Sequence, residues 1–254
     1  MEIESVGTFT FDPAEVVTVR SDVFQPGHFS VFDALVQLDK QGDIDLEYHF
    51  DGAMDTHIID TINDKRHWWY EVKYSSGWFE PNVFRMDMFP YKDNTNIRVY
   101  PQREEYLARI CRTFGDEIVR MAENEGKLVI PSVTIGGPNI LHQFEDVAVT
   151  AHDIRSDILK PGVITALDIL LSLGEQGQLF DLKLTWYDRI MSADPVDSYW
   201  VEQIDSDVAF DSCGFVYETG PTEFSGFAGS HIHIPLDVRV IVSPEYAFWF
   251  WICL

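Results

Sequence analysis

The hydrophobic pattern of the chain changes its period at Gly42. Before Gly42, apolar residues recur at helical spacing, which predicts a helix with one buried face. Its first turn begins after Ser30, with Asp33 three positions on, and both side chains can accept hydrogen bonds from free backbone N–H groups. Beyond Gly42, apolar and polar residues alternate over residues 44–50, which predicts a half-buried strand. The helical apolar positions are Val31, Phe32, Leu35, Val36 and Leu38.

The same succession occurs twice. Residues 20–27, Arg-Ser-Asp-Val-Phe-Gln-Pro-Gly, return at 155–162 as Arg-Ser-Asp-Ile-Leu-Lys-Pro-Gly. The correspondence runs without a gap through the helix, so that Asp168 matches Asp33 and Gly177 matches Gly42. After a one-residue insertion, the alternating strand continues at Leu182. Self-similarity of this length indicates a duplicated domain.

Each copy is predicted to contain two strands, one helix and three or four further strands. In the first copy we expect strands at residues 8–11 and 16–19 before the helix, and three more after residue 50. The aromatic-rich residues 247–254 predict a final buried strand, after another at residues 238–242. An exposed aromatic tail that docks into a partner is the alternative for residues 247–254. Between the copies, helical spacing predicts a connector helix over residues 102–127. The predicted domains are therefore residues 1–101 and 128–254.

Four motifs of the first copy, at residues 30–35, 59–63, 68–72 and 91–97, together resemble a known family. The β-β-α-β-β order is that of a β-grasp module, and the motifs resemble the transcobalamin-like C-terminal domain family of bacterial and archaeal extracytoplasmic modules. The second copy departs from the family pattern at residues 213–215. The resemblance implies an α+β fold of two tandem β-grasp-like units, secretion or surface display, and binding rather than turnover.

Composition narrows the possible partners. The 254 residues include 42 acidic and 18 basic ones, for a formal net charge of −24. Such a charge repels nucleic-acid phosphates and anionic membranes, so we expect no nucleic-acid partner. The acidic residues are spread along the chain, as on an ordinary solvated surface. The alternatives are a cationic partner, divalent ions or a saline habitat.

The lengths of the apolar runs and the positions of the cysteines bear on where in or outside the cell the protein is located. No apolar run reaches the roughly 18 residues that a membrane span requires, so no transmembrane segment is expected. The start of the chain lacks the features of a signal peptide, and secretion or a periplasmic or cell-surface location is expected from the resemblance alone. Cys111, Cys213 and Cys253 have no metal-type spacing. A disulfide between Cys213 and Cys253 and buried free thiols are both compatible with the sequence.

Two groups of residues are candidates for ligand contact. Trp68, Trp69, Tyr70 and Trp78 could line a pocket or stack on a planar ligand, or they could form the core of a sheet.

The second group is His231 and His233, which would lie on one face of a strand and could bind copper or zinc. Aligning residues 234–235 with Phe89-Pro90 gives Met86 and Met88 the positions in the first copy that His231 and His233 have in the second. An ordinary surface strand is the alternative for His231 and His233.

No catalytic signature is present, so no catalytic residue is predicted. The leading hypothesis is a non-enzymatic extracytoplasmic binding or assembly module for a small ligand or a protein partner. A metal-binding accessory protein that uses His231 and His233 is the alternative, and a hydrolase of surface polymers is a third class. The sequence identifies no cofactor and no oligomeric state.

Overall fold

A computed structural model describes residues 1–73, 79–92, 96–189, 195–226 and 235–253. Within these ranges the chain forms α-helices and several mixed or antiparallel sheets, which confirms the predicted α+β class. Internal contacts divide the chain into two compact units. Unit 1 is Met1–Ile118 with Ser156–Lys160, and unit 2 is Val119–Arg155 with Pro161–Leu254. The division falls inside the predicted connector helix.

Unit 1 contains one buried helix, a five-stranded sheet and a separate hairpin. The sheet order is β2-β1-β7-β5-β6, in which β1 and β7 are parallel and the other neighbours are antiparallel. The helix α1 precedes the hairpin of β3 and β4. The elements are β1 (Glu2–Ile3), β2 (Gly7–Thr8), α1 (Val31–Gln41), β3 (Leu46–Asp51), β4 (Thr56–Ile62), β5 (Trp68–Lys73), β6 (Phe79–Pro81) and β7 (Asn96–Pro101).

Unit 2 repeats the order of two strands, a helix and further strands after the helix α2 (Glu104–Glu123), which begins in unit 1, but the short β12 extends its hairpin whereas β6 extends the main sheet of unit 1. Its four-stranded sheet has the order β9-β8-β14-β13, with β8 and β14 parallel. A second sheet contains β10, β11 and β12. The elements are β8 (Leu128–Gly136), β9 (Leu141–Val149), α3 (Ala166–Glu175), β10 (Leu182–Arg189), β11 (Pro195–Ile204), β12 (Asp207–Val208), β13 (Cys213–Gly220) and β14 (Tyr246–Cys253).

The predicted starts of the two repeated helices are confirmed. The Asp33 carboxylate accepts a hydrogen bond from Ser30 N at 2.7 Å, and Asp168 accepts one from Thr165 N at 2.6 Å. Both aspartates are buried, and the hydrophobic faces of α1 and α3 lie in the cores of their units. Gly42 ends α1 with φ 80°, a left-handed conformation that glycine adopts without strain.

Three of the predicted strands are wrong. Residues 16–19 and 238–242 form no strand, and of residues 8–11 only Thr8 lies in a strand, because the first hairpin is formed by Glu2–Ile3 and Gly7–Thr8. The last strand in chain order is β14 in the unit 2 sheet and β7 in the unit 1 sheet. The alternation in residues 238–242 is misleading because Arg239 is buried, where its guanidinium donates to Thr219 O at 3.0 Å. The final strand predicted from residues 247–254 is confirmed by β14 for the residues that the structure describes.

The structure also corrects the alignment of the two copies near their ends. Val31 N donates to Phe89 O in unit 1, and Ala166 N donates to Arg239 O in unit 2, both at 2.9 Å. Met86 and Met88 therefore match Leu236 and Val238. Pairing these methionines with His231 and His233 was wrong.

The repeated motif makes a symmetric contact inside unit 1. Gln25 N donates to Ile158 O, and Lys160 N donates to Val23 O, each at 2.8 Å. Because Gln25 matches Lys160 and Val23 matches Ile158 in the repeat, the two hydrogen bonds are equivalent. Residues 156–160 of the second motif are thus antiparallel to their counterparts in the first motif.

A disulfide joins β13, at the edge of the unit 2 sheet, to its neighbour β14. Cys213 and Cys253 are opposite each other in β13 and β14, with 4.0 Å between their Cα atoms, and their sulfurs are bonded. Cys111 is a free, partly buried thiol. None of the helices in the described ranges has the length and apolar character needed to cross a membrane.

Each unit holds its hairpin with a buried arginine and a buried aspartate. In unit 1, Asp87 accepts hydrogen bonds from Arg20 Nη1 at 3.3 Å and from His57 N at 2.9 Å. Arg20 Nη1 also donates to the hairpin-turn carbonyl of Asp55 at 3.1 Å, and its guanidinium lies over the ring of Phe50. Asp87 is fully buried.

Unit 2 contains the same network. Asp237 accepts from Arg155 Nη1 at 2.9 Å and from Tyr199 N at 3.0 Å. Arg155 Nη1 donates to Asp197 O at 3.1 Å, and its guanidinium lies over the ring of Trp186. The repeat is therefore preserved in buried polar contacts as well as in sequence.

Replacing Asp87 should destabilise the protein at neutral pH. Burial alone would raise the pKa of Asp87, but hydrogen bonds from His57 and Thr56 and the charge of Arg20 lower it below its ordinary value. Asp87→Ala removes one of the carboxylates paired with Arg20, which keeps its ion pairs with Asp22 and Asp55, and leaves the Thr56 hydroxyl and His57 N without this acceptor. We therefore expect the free energy of unfolding at pH 7 to fall by about 2–4 kcal/mol. Denaturant titration measures the change.

The same variant should flatten the acid dependence of stability. Because the folded pKa of Asp87 is lowered, its stabilisation is present above about pH 4 and is lost as the pH falls through the folded pKa. Asp60→Ala is the control, since Asp60 pairs with His49 on the surface and should matter by less than about 1 kcal/mol. Equal losses in the two variants would contradict the role given to the buried network.

Candidate functional site

The aromatic residues proposed from the sequence lie inside unit 1. Trp68, Trp69 and Tyr70 are buried in β5. Their polar atoms donate to the backbone carbonyls of Lys65 at 2.7 Å, Asn82 at 2.5 Å and Phe84 at 3.1 Å, respectively. These three side chains are therefore part of the core of unit 1 and are not exposed on its surface. Trp78 lies outside the described residues.

The predicted metal ligands His231 and His233 also lie outside the described residues. Among the residues that the structure does describe, no three His, Cys, Asp or Glu side chains are grouped as a metal site would require.

The base of each hairpin is closed in the same way. In unit 1, Asn63 N donates to Asp45 O at 2.8 Å, and the Asn63 side chain accepts from Asp45 N at 2.8 Å. In unit 2, Asp205 N donates to Asp181 O at 2.7 Å, and the Asp205 carboxylate accepts from Asp181 N at 3.1 Å. Asn63 and Asp205 are both left-handed, with φ 49° and 48°. Asp205 is thus the counterpart of Asn63.

The inserted residue of unit 2 is Phe180. Buried Ile44 and Leu179 match each other, but Ile44 immediately precedes Asp45 whereas Phe180 separates Leu179 from Asp181. Phe180 N donates to the Asp205 carboxylate at 2.7 Å. Its side chain is 85% exposed, the largest value among the large hydrophobic residues described. The insertion therefore places an aromatic side chain in solvent on a backbone that Asp205 holds.

Asp205 also holds the start of β9. Its second oxygen is 2.8 Å from His142 Nε2, and the neighbouring Leu141 is 70% exposed. Burial opposes ionisation of Asp205, but the hydrogen bonds from Asp181, Phe180 and His142 lower its pKa below the ordinary value. One ionised carboxylate therefore connects the turn between β11 and β12 with the exposed Phe180 and with the residue next to Leu141.

A second aspartate fixes the turn between β8 and β9. Asp207 is buried and accepts hydrogen bonds from Asn139 N at 3.0 Å, Asn139 Nδ2 at 2.6 Å and Ile140 N at 3.2 Å. Gly137 packs so closely that a Cβ there would lie 2.1 Å from an Asp207 oxygen. Val208, which follows Asp207 on β12, is 46% exposed.

The fourth exposed apolar residue is Phe210, at 58%. Its backbone N–H and C=O both pair with Cys213, at 3.0 and 2.8 Å. Its ring contacts Trp251, with 6.0 Å between ring centroids, and Trp251 also contacts Phe215. Phe210 is therefore supported by the strands that the Cys213–Cys253 disulfide joins.

We name these four residues, Leu141, Phe180, Val208 and Phe210, the apolar end of unit 2. The segments that carry them meet at the turn between β11 and β12, because Asp205 contacts Phe180 N and the His142 side chain, and Val208 and Phe210 lie one and three residues after Asp207. Apolar side chains that are exposed together on a folded protein are typical of an interaction site, whereas single exposed apolar residues are common on any surface. Unit 1 lacks the features that create it, because its β2 has two residues where β9 has nine, and because Asn63 replaces Asp205 without an inserted residue. The two units therefore share a framework, and the apolar end is a feature of unit 2 that unit 1 does not have.

Comparison with known proteins finds no match to this chain among family models, curated protein sequences or solved structures. Its function therefore has to be inferred from its residues and their geometry. The hydrophobic pattern of the sequence does not predict the apolar end. The one signal for it is the one-residue insertion before β10, which marks the position of Phe180.

A methyl group at Gly137 should disturb the apolar end. Gly137→Ala must displace Asp207 or its loop, so we expect the free energy of unfolding to fall by about 1–3 kcal/mol. Gly115→Ala is the matched control, because nothing lies within 4 Å of a Cβ at this position in α2. Helix propensity predicts that the control gains about 0.5–1 kcal/mol. Denaturant titration compares the two, and a neutral Gly137→Ala would refute the close packing.

Proposed function

We propose that the protein is a non-enzymatic binding module that docks a protein partner on the apolar end of unit 2. The observation that carries this proposal is the exposure of Leu141, Phe180 and Phe210 on backbone segments that are held by buried or partly buried side chains. Binding is favoured when contact residues are already ordered, because less conformational entropy is lost on association. Aromatic side chains are also frequent among the residues that dominate binding energy.

We further propose that both units are β-grasp-like. The supporting observation is the shared strand order, β2-β1-β7-β5 in unit 1 and β9-β8-β14-β13 in unit 2, with a parallel central pair in each. In both units a hairpin leads, one helix follows, and the later strands complete the sheet. In this proposal the β3–β4 and β10–β11 hairpins are additions after the helix.

An extracytoplasmic location is part of the proposal. The Cys213–Cys253 disulfide supports it, because disulfides persist mainly in oxidising compartments. The disulfide joins the strand that carries Trp251 to the segment that supports Phe210. An oxidising compartment would therefore also favour the docking surface.

Photocross-linking tests the proposed function. A photoreactive phenylalanine analogue at position 180 should capture a protein from extracts of the source organism that the same analogue at Val119, 56% exposed on α2, does not capture. The captured protein is then purified. Its dissociation constant should rise at least about tenfold with Phe180→Ser and Leu141→Ser together, since each apolar side chain contributes about 1.5 kcal/mol or more when buried.

The control for this affinity measurement is Val119→Ser, which should leave the dissociation constant unchanged. Identical cross-linked proteins from positions 180 and 119, or an unchanged affinity in the double variant, would overturn the docking function. Both substitutions in the double variant replace exposed side chains, so the fold should be preserved, and the thermal unfolding midpoint checks this.

A further inference from the structure

We infer that the segment docked on the apolar end is a positively charged amphipathic stretch of polypeptide, with apolar anchors flanked by Lys or Arg. This inference rests on the proposed docking function and specifies its partner. Exposed carboxylates accompany the exposed apolar side chains in sequence.

Acidic residues are interleaved with the apolar end. Asp181 directly follows Phe180, and Asp211 directly follows Phe210. Both aspartates are exposed. Over residues 176–213 the sequence has two basic residues, Lys183 and Arg189, against eight acidic ones. The acidic residues are Asp181, Asp188, Asp194, Asp197, Glu202, Asp205, Asp207 and Asp211.

The carboxylates of this region fall into two groups. Asp205 and Asp207 accept hydrogen bonds from the loops that they hold, so their charge is used within unit 2. The side chains of Asp181 and Asp211, in contrast, make no ion pair or hydrogen bond with the rest of the described chain. They are therefore available to cations of a partner.

Charge complementarity decides which partner fits this surface. A neutral apolar segment could cover the four side chains, but it would leave Asp181 and Asp211 beside the contact without counter-charges. An acidic segment or an anionic membrane would be repelled by the same carboxylates and by the net charge of −24. A basic amphipathic segment satisfies both features, and opposite charges at the rim raise the association rate and fix the orientation of the bound segment.

Three designed peptides of equal length test the inference. The first alternates Leu and Lys, the second replaces every Lys by Glu, and the third replaces every Leu by Ser. With fluorescent labels on the peptides, anisotropy titration of the full chain gives each dissociation constant. The Leu/Lys peptide should bind at least about tenfold more tightly than the other two, and its affinity should fall several-fold between about 50 and 300 mM salt.

Variants assign the binding to the surface. Phe180→Ser with Leu141→Ser should weaken Leu/Lys binding at least about tenfold. Asp181→Asn with Asp211→Asn should weaken it about threefold or more and reduce its salt dependence. Glu123→Gln with Glu125→Gln removes the same net charge from exposed positions at the end of α2, so it is the matched control and should leave the affinity unchanged.

Each outcome of the test decides the inference. Equal binding of the Leu/Glu peptide, no binding of the Leu/Lys peptide, or insensitivity to both double variants would overturn the inference of a basic partner. The docking function itself would still be judged by cross-linking at position 180, so the two failures are distinguishable. The inference would also be overturned if the Glu123 and Glu125 control lost as much affinity as the Asp181 and Asp211 variant. Binding would then depend on the net charge of the protein and not on this surface.

Discussion

The arrangement of each unit depends on a buried ion pair between an arginine and an aspartate. Asp87 is removed from water and can remain charged only because Arg20, Thr56 and His57 surround it with donors. Since these donors come from separated parts of the chain, the pair couples the repeated motif to the turn of the β3–β4 hairpin. Asp237 and Arg155 make the same connection in unit 2. A buried charge of this kind is costly to leave unpaired, which limits how the hairpin can be placed.

The apolar end of unit 2 is built by the same physical means. Aspartate side chains accept hydrogen bonds from the backbone N–H groups of loops and so fix the positions of these loops. The exposed apolar residues lie in or next to the loops. The amide at Asn63 and the carboxylate at Asp205 close the same hairpin base, but the carboxylate accepts one additional backbone donor, Phe180 N. A single inserted residue and a change from amide to carboxylate therefore suffice to present an aromatic side chain. Unit 1 keeps the framework without this surface.

The sequence predicted the elements whose signals are local. The helix α1 is marked by Ser30, Asp33 and Gly42, and helical spacing located α2. Residues 238–242 were mistaken for a strand because a binary pattern cannot distinguish a buried Arg239 from an exposed one. Likewise, the pattern around Trp68 is the same for sheet core and for a ligand pocket, and burial by the rest of unit 1 decides between them. Phe180 was missed because its exposure depends on Asp205, which is distant in sequence.

The most direct test of this account is amide hydrogen exchange at Phe180 in the native protein and in Asp205→Ala. We expect the Phe180 and Asp181 amides to be protected from exchange in the native protein, because both donate hydrogen bonds to Asp205. This protection is expected although the Phe180 side chain is exposed. In the variant, their protection should fall to the level of unstructured loops while that of the β8–β14 pair is retained. Rapid exchange at Phe180 in the native protein would contradict the claim that the docking surface is held in place.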